Sequence, residues 1–125
     1  MCRLVPGVKG VSENIHVRSI IGRFLEHTRV FYFSNDGTPK IFGASADWME
    51  RNLFKRVETC FPIDNDSWSS RVKKELDLYL SDNCQSWILQ SDGSYIKSEP
   101  KKGEDRISAQ QALLENFTVS KTIKD

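Results

Sequence analysis

Arg29-Val30-Phe31-Tyr32-Phe33, Ser34-Asn35-Asp36-Gly37-Thr38-Pro39 and Lys40-Ile41-Phe42-Gly43-Ala44-Ser45 follow one another without a break. The first segment is aromatic and β-branched, which suits a half-buried pleated strand. The second consists of turn formers: Asn, Asp and Gly tolerate left-handed backbone, and Pro fixes φ. The third reads as the returning strand. With the turn centred on Asp36 and Gly37, opposed residues of the antiparallel pair have numbers adding to about 73. His27 then falls opposite Ala46 and Arg29 opposite Ala44, so Ser45 and Asp47 come within side-chain reach of His27. Residues two apart on a strand share a face, so His27 and Arg29 are expected to project the same way.

Before the hairpin, Met1 to Val5 reads as the end of a strand, an abrupt start that suggests a piece of a longer protein. Pro6 to Asn14 is a loop rich in turn residues. Ile15 to Arg18 alternates apolar and polar, which predicts a strand. Ser19 is placed to cap a short helix with Ile20, Ile21, Phe24 and Leu25 on one face. After the hairpin, Arg56 to Ile63 reads as a strand. Asp66 or Ser67 caps a helix from Trp68 to Ser81, with Trp68, Val72, Leu76, Tyr79 and Leu80 as its buried stripe. Gln85 to Leu89 and Tyr95 to Lys97 form a second hairpin about Asp92-Gly93. Glu99 to Asp105 is a charged loop. Ser108 and Gln111 form a capping-box pattern that opens a helix through Phe117, and Ser120 to Asp125 is expected to fray. Interleaved strands and helices give an α/β fold with a mixed sheet flanked by helices, in a single domain over residues 1–125.

Lys plus Arg number 18 and Asp plus Glu 17 in 125 residues, a formal charge of +1. That balance removes the electrostatic case for nucleic acid or an acidic membrane as partner. Apolar residues are 38% and aromatic residues 10% of the chain, enough for an ordinary core and against disorder. No apolar run reaches the ~18 residues of a membrane span. Cys2, Cys60 and Cys84 are far apart and make no CxxC pair, so neither a zinc site nor a disulfide framework is implied, and a reducing cytoplasm fits.

His27-Thr28-Arg29 leads the candidates for chemistry. A guanidinium donates a forked pair of charge-assisted bonds to phosphate, and an imidazole exchanges a proton near neutral pH. Arg18, Arg23 and Lys40 lie near in sequence, and Ser45-Ala46-Asp47-Trp48-Met49-Glu50-Arg51-Asn52 adds a hydroxyl, a carboxylate, a guanidinium and an amide. The cluster has anion-binding character. The same residues also read as an ordinary ionic surface, and spacing does not separate the two. His16-Val17-Arg18 repeats the pattern without a hairpin beside it and reads as solvated. Trp48 and Met49 are expected to pack beneath the site, and Trp68, Trp87 and Tyr95 in a core or interface. No GxxxxGK[ST] occurs, which excludes a P-loop.

Three strings resemble the C-terminal region of bacterial polyphosphate kinases: Pro6 to Ile15, Arg18 to Arg29, and Ser45 to Leu53. The resemblance runs from Met1 to about Leu114. It implies the second of two phospholipase D-like domains in an enzyme that reversibly transfers the terminal phosphoryl group of ATP to polyphosphate through a phosphohistidine. It places that nucleophilic histidine upstream of this sequence. His27 matches the family's second active-site histidine and is the implied catalytic residue. Arg29 stands where the phospholipase D pattern H-x-K has lysine. Ser45 and Asp47 stand where it has G-S-x-N, with Ala44 for its Gly. The implied phosphate- and nucleotide-binding set is His27, Arg29, Ser45, Asp47, Arg51 and Asn52, without a metal site of its own. Mg²⁺ is expected to arrive with ATP. The implied partners are ATP or ADP, polyphosphate, upstream domains of the same polypeptide and further copies of the enzyme. On its own the fragment is expected to be inactive. The alternative activity is a dimeric phospholipase D-like phosphodiesterase or nuclease; a third reading is a binding module without chemistry.

Overall fold

A computed structural model of the chain describes residues 4–119, with side chains described as far as Phe117. The expectation of fraying at Ser120–Asp125 lies outside the described residues, as do the first three positions of the expected strand end. Leu4 and Val5 are not in a strand. The chain forms two compact units: one holds residues 25–75, the other the residues up to Phe24 and from Leu76 onward.

In the unit of residues 25–75, β2 (Val30–Phe33) and β3 (Lys40–Ala44) pair in the expected register, with Val30 opposite Gly43 and Phe33 opposite Lys40. β1, of the other unit, covers Arg18–Ile20. Asn35, Asp36 and Gly37 take φ of 46°, 49° and 84°, a run of left-handed backbone that explains the Asn-Asp-Gly choice. β4 (Cys60–Pro62) adds to the other side of β3, giving the order β2-β3-β4. Ser45 N donates to Thr59 O at 2.9 Å and Ile63 N to Ile41 O at 2.9 Å, so the ladder extends a residue either way. The expected strand began at Arg56; residues 56–58 make no ladder bond to β3. Pro62 is tolerated because β4 is an edge strand. Gly43 is buried, and a Cβ there would stand 2.8 Å from Phe61 Cζ. α1 covers Glu50–Lys55.

α2 runs Asp66–Ser81. Its cap is Asn65, not Asp66 or Ser67: Asn65 Oδ1 accepts from Ser67 N at 3.0 Å and Trp68 N at 3.2 Å. Three adjacent cap formers, Asp64-Asn65-Asp66, make the choice illegible in sequence. The expected stripe is only partly covered. Val72, Leu76 and Tyr79 are half-buried, whereas Trp68 and Leu80 are exposed.

In the other unit, β5 (Ser86–Leu89) lies between β1 and β6 (Tyr95–Lys97). The strand expected at Ile15–Arg18 is therefore displaced toward Ile20, and Ser19 pairs with Trp87 instead of capping a helix. Four apolar positions interrupted by Gly22 do not outweigh a sheet partner, and Ile21 and Leu25 are exposed. Arg18 Nη1 donates to the carbonyls of Tyr79, Leu80 and Asp82, closing the end of α2. α3 (Ala109–Val119) begins where expected, but by another device. Ser108 Oγ donates to Gln85 Oε1, and Asp82 Oδ2 accepts from Ala109 N at 2.8 Å. Asp82, 1% exposed, also accepts from Cys84 N and Gln85 N.

The α/β class stands; among the described residues the strands pair in two antiparallel sheets of three where one mixed sheet was expected, because each neighbouring strand runs antiparallel to its partner. The expected ordinary core is thin. Among the described residues the buried apolar set is Ile41, Ala46, Leu89 and Ala109. A three-stranded sheet is too narrow to enclose large side chains. Trp48, Phe54, Trp68 and Tyr95 are exposed, against the packing expected of the tryptophans and Tyr95, while Trp87 is half-buried.

Candidate functional site

The hairpin register places Arg29 beside Ala44. His27 and Arg29 precede β2; Ala44 N donates to Arg29 O at 2.9 Å, carrying the ladder one step beyond the strand. His27 itself lies outside the strand, since no ladder bond reaches it. Arg29 Nη1 donates to the His27 carbonyl at 2.6 Å and Arg29 Nε to Asp47 Oδ1 at 2.8 Å. The arginine thus ties the segment before β2 to the loop after β3.

Asp47 has its pKa held below the ordinary carboxylate value, chiefly by the hydrogen bond from Arg29. Partial desolvation opposes this, and the charges of Arg29, Arg51 and His27 add to it. Of these three cations, Arg29 is the one in contact with the carboxylate. Arg29 is raised, first by the same hydrogen bond, then against desolvation by the charges of Asp47 and Glu58. His27, Asp47 and Arg51 are exposed and Arg29 is half-buried.

The loop that carries Asp47 is internally braced. Met49 N donates to Asp47 O at 2.7 Å, and Asn52 Nδ2 donates to the same carbonyl at 3.1 Å. Asn52 is 6% exposed, and its Oδ1 has no hydrogen-bond partner among the described residues. Ser45 is committed to the sheet: its Oγ donates to Glu58 Oε2 at 2.6 Å and accepts from Thr59 N at 2.9 Å. Glu58 escaped the sequence reading. Carrying the register across to β4 would have found it, because Ala44 opposite Cys60 brings Ser45 beside residues 58–59.

Trp48 does not pack beneath the cluster. It is 74% exposed and stacks on Phe31 with ring centroids 5.2 Å apart. Arg18 is engaged at the end of α2, Arg23 lies over the Phe24 ring, and Lys40 lines a separate hollow with Asp64 and Asp66. His16 is exposed. Among the described residues no group of three His, Cys, Asp or Glu side chains comes together. The donor set of the described residues does not fit a divalent-cation cage.

The segment before β2 and the braced loop after β3, tied together by the Arg29–Asp47 bond, carry an imidazole, two guanidiniums and a carboxylate. The sequence matches the family described as polyphosphate kinase C-terminal domain 2 over residues 1–110. The chain belongs to that family. It is 63% identical over 118 residues to a polyphosphate kinase of Pseudomonas syringae pv. tomato, covering 94% of this chain and 16% of that protein. A polyphosphate kinase of Pseudomonas aeruginosa is 58% identical over 117 residues, again 94% of this chain and 17% of the relative. The crystal structure of polyphosphate kinase from Porphyromonas gingivalis matches with a TM-score of 0.89 at 32% identity, over 96% of this chain and 18% of that one. The chain thus spans about a sixth of the length of the curated relatives it matches.

Proposed function

We propose that these residues form one part of the catalytic site of an ATP–polyphosphate phosphotransferase, a cytoplasmic enzyme in which a phosphohistidine supplied by the rest of the polypeptide receives the terminal phosphoryl group. The observation that carries this reading is the pair of bonds by which Arg29 joins the His27 carbonyl to Asp47, in a chain of this family. The transition state of phosphoryl transfer spreads negative charge over the moving group, and positioned cations lower its energy. Arg29 is preoriented by Asp47 and the His27 carbonyl through Nε and Nη1, which leaves Nη2 to donate to a phosphate oxygen. Arg51 supplies a second, exposed guanidinium. His27 contacts phosphate oxygens and exchanges a proton with the attacking or leaving oxygen. Asp47 acts through Arg29, because a carboxylate facing phosphate directly would repel it. Ser45 holds the strand end and Asn52 the loop that carries Asp47. Mg²⁺ belongs to the nucleotide in this scheme. ATP, ADP and polyphosphate are the substrates, and the remaining domains and further copies of the enzyme are the partners.

The test is chain synthesis from ATP. The 125-residue chain alone is expected to bind phosphate weakly and to make no polyphosphate; robust synthesis by it would refute the assignment of a partial site. Hydrolysis of a model phosphodiester by this chain, abolished in His27→Ala, would instead establish the phosphodiesterase alternative.

A further inference from the structure

The unit containing β5, β6 and α3 has two adjoining hollows of about 570 and 340 Å³ that share Cys84, Lys97 and Arg106. Lys97 closes β6 opposite Trp87 of β5, so the ladder fixes its origin. Arg106 is held by its neighbours: Asn83 Nδ2 donates to Asp105 O at 2.9 Å, and Ile107 N donates to Asn83 Oδ1 at 2.8 Å. Neither cation has an ion-pair partner among the described residues. The larger hollow has no acidic residue in its lining, whereas Glu99 lines the smaller. Behind the larger one, the buried Asp82 carboxylate is saturated by three backbone N–H donors. Gln85 also faces this hollow, and its amide nitrogen has no protein partner among the described residues.

Two uncompensated cations on one concavity repel each other, and an oxyanion between them removes that cost. A guanidinium fork, an ammonium and a neutral amide match the oxygens of a phosphate group. We propose that this hollow is a second anion site, which binds a linear phosphate chain between Lys97 and Arg106. The choice of phosphate over carboxylate rests on the function proposed above; the anion site itself rests on this hollow alone.

The full chain, titrated with inorganic tripolyphosphate at constant ionic strength and followed by amide NMR, separates the two. Resonances of Cys84, Lys97, Arg106 and Ser108 are expected to shift. In Lys97→Gln/Arg106→Gln the affinity read there falls about tenfold or more, while the response at Arg29, Asp47 and Arg51 is unchanged. Shifts at the first set with none at Arg29, Asp47 and Arg51 would sink the proposed function and leave this site standing. Shifts confined to Arg29, Asp47 and Arg51, or equal affinity in the double variant, would overturn it. The unaltered chain gives a second readout: tripolyphosphate should slow alkylation of Cys84 and leave Cys60 unaffected, and an unprotected Cys84 contradicts the proposal.

Discussion

Arg29 gains its orientation from Asp47, and the bond leaves a signature in titration. Folding lowers the Asp47 pKa, so the bond contributes fully above the unfolded carboxylate value of ~3.9 and is lost as pH falls through the lower folded value. In Arg29→Ala the carboxyl is expected to titrate at a higher pH, near that ordinary value, as read by carbon NMR of the Asp47 side chain. An unchanged Asp47 titration would show that the bond does not govern the group. His27→Ala in a full-length enzyme carrying this domain should lower polyphosphate synthesis by roughly 10²–10⁴-fold, the usual contribution of a positioned acid or base. Activity within twofold of the unaltered enzyme would place His27 outside the chemistry. Arg29 was legible at the hairpin because turn centring is local, whereas the ladder stops short of His27 and strand spacing does not place its side chain. Glu58 was not legible, because its place beside Ser45 depends on which strand the third one pairs with and in what register, which no local pattern fixes. Trp48 was misjudged for a related reason: an aromatic residue signals apolar contact without saying what lies over it.

Among the elements, the β2–β3 hairpin was the most readable, since Asn-Asp-Gly fixes a left-handed turn and the turn fixes the register. The starts of α2 and α3 were readable to within two residues but not in mechanism, and α1 was not expected. α3 opens at Ala109 because Asp82, 27 residues earlier, accepts its N–H, while the Ser108–Gln111 pattern goes unused. Asp82→Ala would strand three backbone donors, one buried and two part-buried, and is expected to cost about 3 kcal/mol of stability, measured by urea unfolding; a loss under ~0.5 kcal/mol would contradict this. Gly43→Ala drives a methyl group against the Phe61 ring and is expected to cost about 1–3 kcal/mol by the same measurement. The short helix expected after Ser19 failed because helical spacing over four residues is weak beside the ladder that Ser19 joins with Trp87.

For the molecule as a whole, the α/β class followed from interleaved strand and helix patterns and the family from long matching strings, whereas the thin core did not follow from composition. A count of apolar residues does not say how many find cover, and here Trp48, Phe54 and Trp68 remain exposed. The central claim is that the hairpin and its braced loop present His27, Arg29 and Arg51 to one phosphate group. Crystals of the chain grown with pyrophosphate test it most directly. The account predicts a phosphate group within hydrogen-bond distance of both the His27 ring and Arg29 Nη2, with the Arg29–Asp47 bond retained. A His27 ring turned to the opposite side of the chain from Arg29, or pyrophosphate bound only elsewhere, would contradict it.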